Sequence, residues 1–182
     1  MAVIPTWVVP AHRDVADCHR MVVQLADVTG SHDALGQVAA LGWVVGLRPA
    51  PLTQREERVN LDLVRAEHWL ALCAAAGQAE PSTSEWRRFG VEPRPMVAGD
   101  AGFAYGAWSV LGWLLGEHLD PPVELPRRAS DGSVRPGEQR YVTRPRPDLP
   151  VWQDAQRRRR ERQRVEALVM WQRVRDRAGT IG

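Results

Sequence analysis

The sequence contains no lysine, so arginine supplies all 24 of its basic side chains. It has only two cysteines, Cys18 and Cys73, without CxxC or Cys/His spacing around them. Two cysteines cannot form the framework of a disulfide-rich domain, and these two fall in apolar helical stripes. We therefore expect buried thiols in a reducing compartment, which favours a cytoplasmic location or incorporation in a particle.

Long apolar runs are also missing. The longest uncharged stretch relevant to a membrane, 101–116, lies between Asp100 and Glu117 and is shorter than the roughly 20 residues that a spanning helix needs. The N-terminus lacks a positively charged segment, and Pro5 and Pro10 interrupt its apolar part. We expect neither a membrane helix nor a signal peptide.

Motifs that carry chemistry are absent from the sequence: there is no P-loop, GxSxG or dinucleotide fingerprint. The histidines are scattered, at His12, His19, His32, His68 and His118. Asp14 and Cys18 share a helix face, but Asp17 points away from it and no second cluster completes a metal shell. We therefore expect no metal, no cofactor and no enzymatic activity.

A hidden repeat is the most informative feature that is present. Residues 34–46 read ALGQVAALGWVVG and residues 104–116 read AYGAWSVLGWLLG. Each copy stops at glycine with prolines soon after, the usual end of a helix. We predict two helices that cross each other, with helix-packing glycines at Gly36, Gly42, Gly106 and Gly112 and the closest approach at Gly42 or Gly112. The alternative is that one of these helices forms an interface between copies of the chain.

Helical period dominates the rest of the first two-thirds. A stripe over 14–28 ends at Gly30, Ser31 is a candidate N-cap for the first repeat helix, and the second is expected over 97–116. Two capping-box patterns, Thr53 to Glu56 and Ser82 to Glu85, predict two further helix starts. The pattern predicts an all-α protein in which residues 1–119 form a compact helical bundle.

Composition changes after residue 119. Residues 120–151 hold seven of the fourteen prolines and six arginines, with few apolar groups. Such a segment cannot bury enough surface to fold alone, so we predict an extended arm with a weak hairpin about Asp131 and Gly132.

The last segment, 152–182, is predicted to be a helix of two halves. Its first half carries six arginines as a candidate contact for a polyanion or a protein partner: Arg157, Arg158, Arg159, Arg160, Arg162 and Arg164. Its second half is apolar on several faces, a candidate docking or oligomer contact: Val165, Leu168, Val169, Met170, Trp171 and Val174. A helix of this kind must be buried, either on its own bundle or on another chain.

Charge is unevenly divided along the chain. Up to Leu119 nine arginines oppose thirteen acidic residues, a net charge of −4, whereas the remainder carries +6. We expect a non-enzymatic assembly or adaptor protein whose arm and terminal helix contact neighbouring subunits, by analogy with structural components of phage particles. The alternative functions are a nucleic-acid-binding accessory protein that uses the arginines and, third, an enzyme with an unrecognised site in the bundle. For the arginine run itself, the alternative is a solvated helix face whose arginines pair with Glu161 and Glu166.

Overall fold

The structure is a computed structural model that describes residues 4–97, 99–134 and 148–179, with the side chains of the last helix described as far as residue 170. Across these residues the chain is helical and holds no β-strand, which confirms the all-α class. The six helices are α1 (His12–Thr29), α2 (His32–Val44), α3 (Leu61–Ala75), α4 (Thr83–Arg88), α5 (Ala101–Leu114) and α6 (Leu149–Gly179). The chain divides into two compact units, Met1–Arg146 and Pro147–Gly182.

Helices α2 and α5, the two copies of the repeat, pack against each other at the centre of the first unit. Helix α1 packs on α2, and α3 packs on α5. The spatial order is therefore α1, α2, α5, α3, and the two repeat helices are buried over most of their length. Tryptophans Trp43 and Trp113, which occupy equivalent repeat positions, are both buried.

The closest approach of α2 and α5 lies at Gly36 and Gly106. A Cβ atom on Gly36 would fall 2.0 Å from the carbonyl oxygen of Phe103, and one on Gly106 would fall 1.9 Å from that of Asp33. Asp33 and Phe103 themselves occupy equivalent positions just before the repeat, so each helix makes the same contact on the other. The prediction that Gly42 or Gly112 marks this approach is wrong, because these two glycines face side chains rather than the opposite helix.

Both repeat helices end in the same backbone motif. Gly46 and Gly116 adopt left-handed conformations, with φ of 78° and 76°. In the first copy the Leu47 N–H donates to the Gly42 carbonyl at 2.8 Å, and in the second the Glu117 N–H donates to the Gly112 carbonyl at 2.9 Å. These bonds satisfy helix-terminal carbonyls as in a Schellman motif, which explains why each copy stops at glycine.

Helix α3 begins later than predicted. Its N-cap is Asn60, whose Oδ1 accepts a hydrogen bond from the Leu63 N–H at 2.9 Å. The predicted capping box at Thr53 does not form, because Thr53 donates its N–H and its hydroxyl to the buried carboxylate of Glu67. A long-range partner thus replaces the local one.

Helix α4 begins as predicted. The Ser82 hydroxyl accepts from the Glu85 N–H, and the Glu85 carboxylate accepts from the Ser82 N–H at 2.7 Å, so the capping box at this position is confirmed. Hydrogen bonding to Ser82 lowers the pKa of the Glu85 carboxyl.

The start of the predicted arm belongs to the first unit as far as it is described. Val123 is buried, and the buried carboxylate of Asp17 on α1 accepts hydrogen bonds from Arg20 at 2.6 Å and from Arg128. Among the described residues, one antiparallel bridge, between Arg128 and Val134, lies at the position of the predicted hairpin. Residues 135–147 of the predicted arm lie outside the described residues.

Candidate interaction site on the C-terminal helix

Helix α6 is a continuous helix of 31 residues, longer than the predicted span at its N-terminal end. Side chains three, four and seven positions apart lie on one face of a helix. Arg158, Arg162, Val165 and Val169 therefore share a face, with Leu168 beside them. This face is basic in its N-terminal part and apolar in its C-terminal part.

All six predicted contact arginines of α6 are exposed. Arg158 pairs with Asp154 one turn earlier, at 2.5 Å. Arg160 donates from Nε to the Gln156 carbonyl at 3.4 Å and forms no ion pair with a described residue. The other four arginines form no ion pair within the described part of the chain. The expected pairing of arginines with Glu161 and Glu166 is likewise not seen among the described side chains, so the guanidinium groups are available to a partner.

The apolar half of α6 is exposed rather than buried. The exposed fractions are 55 % for Val165, 61 % for Leu168, 46 % for Val169 and 69 % for Met170. Val165, Leu168 and Val169 lie within about 100° of helix circumference and form one apolar strip, whereas Met170 points away from it. The remaining predicted contacts, Trp171 and Val174, fall beyond the described side chains.

A second cluster, which the sequence analysis missed, lies over Gly112 in the first unit. The His68 ring stacks on Trp108 with centroids 6.2 Å apart, and the His118 ring meets the same Trp108 edge-on at 4.6 Å. The Nε2 atoms of both histidines are buried and have no hydrogen-bond partner among the described residues. Gly112 makes room for them, since its Cβ would lie 2.6 Å from the His118 Nε2.

The cluster packs an uncharged His68 ring against Trp108 and His118. Burial, helped by the nearby His118, lowers the pKa of His68 to about 3, so the ring is uncharged at neutral pH. Glu117 reaches the opposite nitrogen, Nδ1, at 3.6 Å, beyond hydrogen-bond distance. Across the described residues no three metal-ligating side chains converge.

The repeat carried a signal for this cluster. Arg48 and His118 each stand six residues after equivalent glycines, and each folds back over its own glycine. A Cβ on Gly42 would lie 3.0 Å from the Arg48 Cδ, as one on Gly112 would lie against His118. Extending the repeat alignment past Gly46 and Gly116 pairs Arg48 with His118, and the structure shows that each side chain covers its own glycine.

Comparison of the chain with family models, with curated proteins and with solved structures finds no match. Among the helices of the described ranges, none combines the length and the apolar character that a membrane crossing requires.

Proposed function

We propose that the chain is a non-enzymatic assembly or adaptor protein that contacts neighbouring subunits through α6. One observation carries this proposal: the strip of Val165, Leu168 and Val169 is exposed on a long helix. Burying each of these side chains in an interface would stabilise the complex by roughly 1.5–3 kcal/mol. Surface ion pairs, worth about 0–1 kcal/mol each, could not match this gain.

The contact that we propose is an interface between copies of the chain. A strip flanked on the same face by Arg158 and Arg162 combines an apolar centre with a charged margin, as interfaces commonly do. The net charge of −4 in residues 1–119 and of +6 beyond them would attract the terminal helix of one copy to the first unit of another. Structural components of phage particles provide an analogy of architecture only.

The test is a matched pair of substitutions in the full chain. Leu168→Glu removes the largest apolar group of the strip, whereas Gln163→Glu introduces the same charge on a different face of α6. Neither change lowers helix propensity appreciably. In light scattering over a concentration series, we expect L168E to weaken self-association at least about tenfold, which corresponds to about 1.4 kcal/mol, and Q163E to leave it unchanged.

Truncation after Pro150 provides a second measurement. We expect the shortened chain to remain helical by circular dichroism and to lose its self-association. A full-length chain that is monomeric at every concentration, together with unfolding of the truncated chain, would show that α6 serves only its own fold.

A second candidate function is binding of nucleic acid. The observation that favours it is that five of the six arginines between Arg157 and Arg164 form no ion pair with a described residue. Exposed guanidinium groups suit phosphates, which they can bind through two parallel hydrogen bonds.

A further inference from the structure

A pocket of about 360 Å³ lies beside the C-terminal end of α2, within residues 5–59. Its apolar lining includes Pro5, Trp43 and Val59. Its polar lining consists of three arginines, Arg48, Arg55 and Arg58, and two glutamates, Glu56 and Glu57. The pocket thus combines an apolar surface with an excess of positive charge.

The three arginines have different roles. Arg55 is buried, and three contacts hold it in place. Its Nη2 donates a hydrogen bond to the Glu92 carbonyl, and its guanidinium lies 5.7 Å from the centre of the Trp86 ring. Its Nη1 is 3.5 Å from the carboxylate of Glu57. Arg55 therefore already balances the negative charge of Glu57. Arg48 and Arg58 are exposed and form no ion pair with any residue that the structure describes, and Glu56 is the remaining charged residue of the pocket lining.

Two buried N–H donors in the pocket lining lack acceptors. The Trp43 Nε1 and the Arg55 Nε have no hydrogen-bond partner among the described residues, although Trp43 is 2 % exposed and Arg55 is 7 % exposed. A buried donor without an acceptor costs free energy. A ligand in the pocket would remove that cost for each of these donors that its oxygen acceptors reach.

We propose that this pocket binds a small oxyanion carried on an apolar group, a phosphate monoester or a carboxylate. Arg48 and Arg58 supply the opposing charge, Trp43 and Arg55 supply the buried donors, and Pro5 and Val59 contact the apolar group. The C-terminus of α2 would repel an anion, but the Gly46 and Leu47 N–H groups satisfy the carbonyls of Trp43 and Gly42. This binding is independent of the proposed function of α6.

The experiment follows the indole N–H resonance of Trp43 by NMR while the full chain is titrated with phenyl phosphate, benzoate or benzyl alcohol. We expect a saturable shift with an anion and none with neutral benzyl alcohol. The two anion titrations distinguish a phosphate site from a carboxylate site. The absence of a saturable shift with both anions up to about 10 mM, or an equal shift with benzyl alcohol, would overturn the proposal.

Arginine substitutions test the charges separately. We expect Arg48→Gln/Arg58→Gln to weaken anion binding at least about tenfold, and the matched pair Arg65→Gln/Arg87→Gln, at exposed positions outside the pocket lining, to leave it unchanged. If the Arg48 change unfolds the chain, because its stem packs over Gly42, the single Arg58→Gln variant makes the same test. Equal affinity in the variants and the parent would contradict the assignment.

Discussion

At the scale of single residues, the crossing of α2 and α5 depends on the missing side chains of Gly36 and Gly106. A methyl group at either position would overlap a backbone carbonyl of the opposite helix, and backbone cannot move aside as a flexible side chain can. We expect Gly36→Ala and Gly106→Ala each to lower the free energy of unfolding by about 1–3 kcal/mol, measured by urea denaturation.

Gly102 is the matched control for this prediction. It lies in the first turn of α5, and its Cβ would meet its nearest neighbours, Asp100 and His32, at 3.4 Å, an ordinary contact. Gly102→Ala should therefore stabilise the chain by about 0.5–1 kcal/mol through helix propensity. Equal effects of Ala at Gly36 and at Gly102 would show that the close crossing does not form.

The neutral His68 ring makes the fold sensitive to acid. Its pKa falls from 6.5 to about 3 on folding, because burial disfavours the charged form. The unfolded chain thus binds a proton more readily, and stability that is present above pH 6.5 is lost as the pH falls from there towards 3. This single group should cost about 2 kcal/mol at pH 5.

His68→Gln removes this titration while keeping a polar side chain of similar size. We expect the urea midpoint of H68Q to change less between pH 7 and pH 5 than that of the parent, and the exposed control His12→Gln to follow the parent. Burial raises the pKa of Glu67, which acts in the opposite sense, but Glu67 is present in all three proteins. A parent and an H68Q variant with the same pH profile would refute the neutral, buried assignment.

At the scale of elements, the two capping boxes show what local sequence can and cannot determine. Ser82 is exposed and Glu85 is half-buried, and their side chains satisfy the helix start as the spacing predicts. Thr53 has the same spacing to Glu56 but is buried, where the carboxylate of Glu67, fourteen positions away, takes its donors. A local pattern is decisive only where no tertiary partner competes for the same atoms.

Helix α3 begins at Asn60 and not near Thr53, and this helix start can be tested. Asn60→Ala should lower the free energy of unfolding by about 0.5–2 kcal/mol, because the Leu63 N–H loses its acceptor. Asn60→Asp keeps an acceptor and should cost little. If both substitutions have the same small effect, the helix does not begin at Asn60.

Helix existence was predictable along the described chain, whereas the contacts of the helices were less so. The repeat predicted that α2 and α5 pack together, since each is apolar and contains glycines that permit close approach of the backbones. It did not show which glycine meets the opposite backbone, because Gly36 and Gly42 look alike in sequence and differ only in the direction each faces. The pocket beside Trp43 was also invisible, since its arginines are separated along the chain and come together only when residues 55–59 pass the end of α2.

At the scale of the whole molecule, the response to salt distinguishes the two proposed functions of α6. Residues up to 119 carry −4 and the remainder carries +6, so both a second copy and a nucleic acid are electrostatically suitable partners. An interface formed by the apolar strip of α6 depends mainly on burial of apolar surface, which salt affects little. Binding to phosphates depends on release of counterions, which salt affects strongly.

Salt dependence therefore distinguishes DNA binding from self-association. If the arginines neutralise about five phosphates, the logarithm of the DNA-binding constant should fall against the logarithm of salt concentration with a slope of about −4 to −5. Alanine at all four of Arg157–Arg160 should flatten the slope, whereas alanine at Arg13, Arg65, Arg87 and Arg94, which removes the same charge from the first unit, should not. The molar mass in solution is measured with and without DNA. If there is no DNA binding at low salt, and neither DNA nor the quadruple substitution changes self-association, assembly through the strip remains as the function of α6.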